Sequence, residues 1–200
     1  MTSPKILLVI DVQQSFFEDI NGSTTVPDAE GLKQRILSVL SKARKEQIKV
    51  IFIRHSDPPD PNFTPDTPAW EIASFLSPPP SSTTSSSSNP EPIIDKTKRN
   101  AFVSTSLESL ITSFLRPSSN PQITCIGLQT DFCVRATSLG AKEVFPNAEV
   151  RLVRGAHGTY NAGGDWEGKG VLGWEEIGRE VEKEVEGKGV VIVEWDEVAF

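Results

Sequence analysis

Two side chains combine reactive chemistry with a promising position, the thiol of Cys133 and the carboxylate of Asp11. Cys133 closes the segment Gly127–Cys133, which runs from an apolar strand-like stretch into a predicted helix. Backbone N–H groups and the dipole at a helix N-terminus stabilise a thiolate, lower the thiol pKa and can hold a developing oxyanion. This position makes Cys133 a candidate nucleophile, although most isolated cysteines are inert core residues and position alone does not overturn that interpretation. Cys125, in mid-strand, is predicted to be such a core residue.

Charged side chains follow other predicted strands. Asp11 comes directly after an aliphatic run, where its carboxylate must be solvated or paired because an unpaired buried charge is costly. The basic segment 95–102 contains Lys96, Lys98 and Arg99 ahead of a predicted helix. Residue types alone do not choose between the two lysines, and a solvated loop is the interpretation for Lys98 and Arg99.

Two histidines compete for the role of a catalytic base. His55 and His157 follow different strands, and either could form a Cys–His pair with the thiol. A polar loop or supporting role is the favoured interpretation for both. His55 and Asp57 lie close in sequence, but no His/Cys cluster with ligand spacing accompanies them, so neither a metal site nor a cofactor is predicted.

Alternating strand and helix patterns must position these residues. Continuous aliphatic runs predict buried strands over 5–10, 49–53, 122–127, 149–153 and 189–193. Amphipathic spacing predicts helices after an Asp28 cap, after a capping box over 105–108, from about 131 to 144, and over 174–187. Repeated strand–helix–strand units predict the α/β class, a three-layer sandwich with a central, mostly parallel sheet. Ligands bind at the carboxyl ends of such strands.

Length and composition limit the organisation and the partners of the chain. Its 200 residues predict one domain over 1–200, with a Pro/Ser/Thr-rich surface loop at about 78–92. The net charge of −7 argues against nucleic acid and anionic membranes, so a small-molecule substrate is the expected partner. Two cysteines and no apolar run of signal or membrane-spanning length predict a reduced, cytoplasmic protein.

Four motifs, in this order, resemble the isochorismatase-like cysteine hydrolases. They are Leu7–Gln13 followed by Phe16, then Lys96–Phe102, Gly127–Val134 and Val153–Tyr160. The ordered set covers nearly the whole chain. The resemblance implies a Rossmann-like, isochorismatase-like hydrolase fold and leads us to expect a homo-oligomer.

The resemblance also implies a role for each site residue. Cys133 would be the nucleophile, Asp11 the general base that takes its proton, and Lys96 the cation that holds both, which selects this lysine. Backbone N–H groups of Gln129 and Cys133 would form the oxyanion hole, after a cis peptide bond at Leu128–Gln129. The implied reaction is hydrolysis of a C–N bond in a small polar amide through a thioester.

The substrate is less well defined by these motifs. Four aromatic residues are candidates for pocket walls, with core packing as the alternative for each: Phe16, Trp70, Phe102 and Phe132. Four positions depart from the family pattern: Ser15, Asn100, Ser104 and Gly155. These departures leave the three catalytic candidates unchanged, but they prevent the resemblance from identifying the substrate.

Alternative functions remain at this point. A nicotinamidase is not among them, because the nicotinamidases of the superfamily have a metal site built from an aspartate and several histidines, whereas the segment Arg54–Asp57 contains one histidine. Isochorismatases proper lack the nucleophilic cysteine, yet a non-covalent ether hydrolase that uses Asp11 as its acid is one alternative. A catalytically idle binding protein on the same fold is the other.

Overall fold

The structure is a computed structural model and describes residues 3–20, 22–76, 91–116 and 119–200. The strands are β1 (Lys5–Ile10), β2 (Lys49–His55), β3 (Ile93–Lys96), β4 (Gln122–Leu128), β5 (Glu149–Gly158) and β6 (Val191–Glu194). The helices are α1 (Ala29–Lys45), α2 (Leu107–Phe114), α3 (Arg135–Val144) and α4 (Trp174–Gly187). A π-helical segment, Thr130–Val134, leads directly into α3.

The strands form one sheet in the order β3-β2-β1-β4-β5-β6, and every neighbouring pair is parallel. The chain starts at the central β1, builds outward through β2 and β3, and then crosses to β4 on the other side of β1. In a doubly wound sheet this reversal opens a crevice at the carboxyl ends of the two central strands. The predicted α/β class with a parallel sheet is confirmed.

Apolar side chains alternate between the two faces of the sheet and produce two cores. Along β1, Leu7 and Val9 pack on the face covered by α1, whose inward residues include Ile36 and Leu40. Residues 6, 8 and 10 of β1 pack on the opposite face, beneath α2, α3 and α4. Because both faces are covered, the inner strands have continuous aliphatic sequences. The three layers are thus helix, sheet and helices.

Several element ends differ from the predictions. The edge strand β3 was not predicted, and β5 continues to Gly158, beyond the expected end at 153. The expected side-chain cap at Asp28 is wrong, because this residue has a left-handed φ of 51° and forms no cap hydrogen bond. Its carboxylate instead accepts a hydrogen bond from Arg35 at 2.8 Å. The capping box expected over 105–108 is also wrong, because the cap residue of α2 is Ser106 and it forms no side-chain cap hydrogen bond, although the Thr105 hydroxyl accepts the N–H of Leu107 at 3.1 Å.

Two expectations concern parts of the chain beyond the sheet. The predicted loop at 78–92 falls outside the described residues, apart from 91 and 92, and stays a prediction. Among the helices that the structure describes, none is sufficiently long and apolar to cross a membrane.

Candidate active site

Four polar side chains meet where four adjacent strands end. Asp11 follows β1, His55 ends β2, Lys96 ends β3, and Cys133 lies in the π-helical segment after β4. His55 and Lys96 are register partners across β2 and β3. The parallel sheet brings together side chains that are far apart in sequence, because their strands all point the same way.

Gly127 allows the two central strands to converge at this edge. It has a φ of +118°, and a Cβ at this position would lie 2.0 Å from the carbonyl oxygen of Ile10. Only glycine tolerates both this conformation and this contact. The close approach brings the chain after β4, with Cys133, next to Asp11.

The ammonium of Lys96 is the centre of the group. Its Nζ lies 2.7 Å from Asp11 Oδ2, 3.1 Å from Cys133 Sγ and 3.2 Å from His55 Nδ1. Lys96 and Asp11 are each 2% exposed, and Cys133 is 8% exposed. The structure therefore brings together the three residues predicted as a triad, and it adds His55 to them.

The same geometry bears on metal binding. One ligand atom each from Asp11, His55 and Cys133 lie within 4.8 Å of one another, a spacing that a metal ion could use. The Lys96 ammonium already contacts all three of these residues. A divalent ion would have to share the space with this positive charge, so the donor set fits an internal ammonium better than a metal.

Burial dominates the ionisation of the thiol. Burial, with a smaller contribution from the negative charge of Asp11, raises the pKa of Cys133 to about 12 against the opposing effect of Lys96. The expected lowering of this pKa by the helix start is therefore wrong for the resting site, because desolvation outweighs it. A raised pKa favours the neutral thiol over the thiolate, so attack by this sulfur would require a base next to it.

Asp11 is placed to be that base. Its Oδ2 is bound to Lys96, while Oδ1 is buried and has no hydrogen-bond partner within the described residues. Its φ is +49°, and its backbone N–H donates to the Ile53 carbonyl at 2.9 Å. A buried acceptor without a donor is unusual in a folded protein, so this oxygen is available to receive a proton.

Gln13 supports the end of β2 and was not predicted as a site residue. It is fully buried, its Oε1 accepts the His55 N–H at 2.9 Å, and its Nε2 donates to the carbonyls of His55 and Trp70 at 3.0 and 2.7 Å. These bonds satisfy the amide and fix His55 beside Lys96. A glutamine two residues after Asp11 was the available sequence signal.

A cavity of about 330 Å³ opens above the thiol. Two of the four predicted wall residues, Phe16 and Phe132, line it together with Gln129 and Cys133. The other two are placed elsewhere among the described residues. Trp70 lies under the Arg54 guanidinium at 3.3 Å and donates its indole N–H to Ser56, while Phe102 packs against Phe145.

Further cavity walls come from residues that the sequence analysis did not select. Phe63 contacts the rings of both His55 and Phe16, with ring centroids 5.5 Å apart in each pair, and Arg99 lies over the ring of Phe132 at 4.3 Å. Asp57 and Asp60 also line the cavity. Arg99 was interpreted as part of a solvated loop, and its position close to Lys96 in sequence was the only hint of this location.

The remaining predicted features have separate positions. The cis peptide bond at Leu128–Gln129 is present, and it precedes the residue expected to supply an oxyanion-hole N–H. His157 does not line the cavity above the thiol. Its ring nitrogens contact the Thr130 hydroxyl at 2.9 Å and the Glu182 carboxylate at 3.1 Å. Cys125 is fully buried in β4, and burial raises its pKa to about 12, as suits an inert thiol.

The family of the chain follows from comparison with known proteins. The model of the isochorismatase domain matches residues 5–167, which includes all four strand ends of the site. The chain belongs to the isochorismatase family. This membership confirms the resemblance seen in the four motifs.

Curated relatives of this isochorismatase-family chain include two streptothricin hydrolases of Streptomyces noursei. They are 28% and 29% identical to it over 155 residues, or 78% of this chain. The matches cover 50% and 54% of those proteins. The chain thus spans about half the length of the curated relatives that it matches.

Solved structures share the isochorismatase fold over almost the full chain. A putative isochorismatase hydrolase from Oleispira antarctica has a TM-score of 0.79 at 19% identity, with 98% of this chain and 97% of that chain covered. The N-carbamoylsarcosine amidase from Thermoplasma acidophilum has a TM-score of 0.70 at 19% identity, covering 98% and 99%. At these identities the likeness establishes the fold.

Proposed function

We propose that the chain is a cysteine-dependent amidohydrolase that acts on a small polar amide without a metal or cofactor. The observation that carries the proposal is the contact of one buried ammonium, Lys96, with both the Asp11 carboxylate and the Cys133 sulfur. Two curated relatives named streptothricin hydrolase and a structural neighbour named N-carbamoylsarcosine amidase are compatible with hydrolysis.

The first half-reaction transfers an acyl group to sulfur. Asp11 Oδ1 takes the thiol proton as the Cys133 sulfur attacks the amide carbon, so the site keeps one negative charge next to Lys96 throughout. The backbone N–H groups of Gln129 and Cys133 hold the oxyanion. The C–N bond then breaks, and the amine or ammonia leaves with the proton from Asp11.

The second half-reaction regenerates the thiol. Asp11 takes a proton from water, the hydroxide attacks the thioester carbon, and the C–S bond breaks. The carboxylic acid leaves, and the proton on Asp11 returns to the Cys133 sulfur. The negative charge of the site is either on the Asp11 carboxylate or on the Cys133 sulfur, and Lys96 contacts both groups. The buried cation can therefore compensate this charge at every stage of the reaction.

The test is a screen of small amides for ammonia release by the wild-type protein and by two matched cysteine variants. Cys133→Ala is expected to lower kcat by at least ~10³-fold, as for loss of other catalytic nucleophiles, with the fold retained. Cys125→Ala, which removes the thiol in the core of β4, should keep the activity. Trapping an adduct on Cys133 by mass spectrometry separates the covalent route from a non-covalent ether hydrolase. An active Cys133→Ala variant would refute the proposal.

A further inference from the structure

A second cavity, of about 230 Å³, adjoins the one above the thiol. The two share four lining residues: Phe16, Asp60, Phe63 and Gln129. The second cavity therefore extends the space above the reacting sulfur that a substrate can occupy. Nothing in the proposed acyl transfer uses it.

Two residues that line this second cavity each have a buried polar atom without a partner within the described residues. Ser15 is 3% exposed, and its hydroxyl has no hydrogen-bond partner within the described residues. The side-chain oxygen of Asn62 is buried and likewise lacks a partner there. Leaving buried polar groups unpaired costs ~1–3 kcal/mol each, so a polar group that reached both atoms would be stabilised there.

The charges around the two cavities favour a cation as that partner. Asp60, at their junction, accepts a hydrogen bond from the Asn62 N–H at 2.8 Å, and Asp57 lies in the wall of the larger cavity. Neither carboxylate has an ion-pair partner among the described side chains. Arg99 also lines the larger cavity, where its guanidinium lies over the ring of Phe132.

We propose that the second cavity is a subsite for the ammonium group of the substrate. This inference rests on the proposed amidase function and names its substrate class, a small amide with a primary amine at the end remote from the scissile bond. The ammonium donates to the Asp60 carboxylate, the Asn62 oxygen and the Ser15 hydroxyl, which matches its three donors. A substrate with a carboxylate at that end would meet Asp60 and is excluded by charge.

The experiment compares 5-aminopentanamide with the neutral pentanamide, and repeats the comparison with shorter and longer chains. The wild-type protein should prefer the ammonium-bearing amide in kcat/KM by at least about tenfold, mostly through KM. Asp60→Asn should bring this preference down towards one, and Ser15→Ala should reduce it as well. Asp19→Asn, which removes the same charge from an exposed position outside both cavities, should keep it.

A binding measurement separates this inference from the proposed function. Binding of pentylamine to wild type and to the Asp60→Asn and Asp19→Asn variants is followed by calorimetry, which needs no turnover. Binding that is lost only in Asp60→Asn supports the subsite even if no amide is hydrolysed, in which case the amidase proposal alone fails. Hydrolysis of neutral and ammonium-bearing amides at equal kcat/KM would overturn the subsite and leave the amidase standing.

Discussion

Lys96 and Asp11 form a buried ion pair at 2.7 Å whose two members depend on each other. Lys96→Met leaves a buried carboxylate without its cation, and Asp11→Asn leaves the ammonium without its carboxylate. Each single variant is expected to lose about 3–5 kcal/mol of unfolding free energy. The double variant should lose clearly less than the sum, because neither charge is left alone. Urea unfolding of the four proteins measures this, and strict additivity would show that the pair is not coupled.

His55 gives the site a pH-dependent stability. Burial lowers its pKa, and Lys96 at 3.2 Å lowers it further, while nearby carboxylates including Asp11 oppose the change. A lowered pKa in the folded state means that the unfolded state binds the proton more readily. The stability that the neutral His55 ring provides is therefore complete above the ordinary His pKa of about 6.5. It is lost as the pH falls through the lowered folded value.

The His55→Asn variant isolates that contribution. Between pH 7.5 and pH 5 the wild-type protein should lose more unfolding free energy than this variant, because the variant has no imidazole to protonate beside Lys96. Urea unfolding at the two pH values gives the comparison. An equal loss in both proteins would assign the pH dependence to other groups.

At the scale of the elements, the approach of β4 to β1 depends on Gly127. A methyl group there would lie 2.0 Å from the Ile10 carbonyl oxygen, and the residue has a φ of +118°. Gly127→Ala is expected to destabilise the protein by more than ~2 kcal/mol and to lower activity by moving Cys133 away from Asp11.

Gly178 supplies the matched control. It lies within α4, and no neighbouring atom comes within 4 Å of the position that an added methyl group would take. Gly178→Ala should therefore stabilise the protein by about 0.5–1 kcal/mol. Thermal unfolding of both variants makes the comparison. Two alanine variants of equal stability would mean that the β1–β4 contact relaxes around the added methyl group.

The elements also show what the sequence can predict. The central strands and α4 have long runs or strong periodicity, and the bounds of β1 and α4 match the predictions. The edge strand β3 has four residues, only one of them buried, so its sequence lacks the continuous apolar run by which the inner strands were predicted. The pairing that forms it, which sets His55 beside Lys96, joins residues 41 positions apart.

The residues that line the cavity were harder to predict than the three residues that meet at the strand ends, because their positions depend on contacts between distant parts of the chain. Asp11, Lys96 and Cys133 occur in motifs that a family resemblance can identify. Asp60 and Phe63 lie between β2 and β3 in a segment without a regular helix or strand, where neither hydrophobic periodicity nor spacing marks a residue. Their role depends on how that segment folds over the strand ends, which is a tertiary property.

At the scale of the whole molecule, the net charge of −7 and the carboxylates Asp57 and Asp60 attract cations towards the cavity. If the second cavity takes the ammonium of the substrate, this field should raise the rate of encounter with a cationic amide. Salt screens such attraction, since the Debye length falls to ~10 Å at 0.1 M ionic strength.

The salt dependence of turnover therefore tests the long-range electrostatic attraction of the whole protein, as distinct from a single contact in the cavity. Raising the ionic strength from about 20 to 300 mM should lower kcat/KM for 5-aminopentanamide several-fold. The Debye length becomes shorter, so the charges of the protein attract the ammonium only when it is already close to the surface. The kcat value should change little, since it reports chemistry after binding. The kcat/KM of neutral pentanamide should also stay nearly constant, because it has no charge for the field to act on. The same salt response for both amides would show that the protein does not steer its substrate by charge.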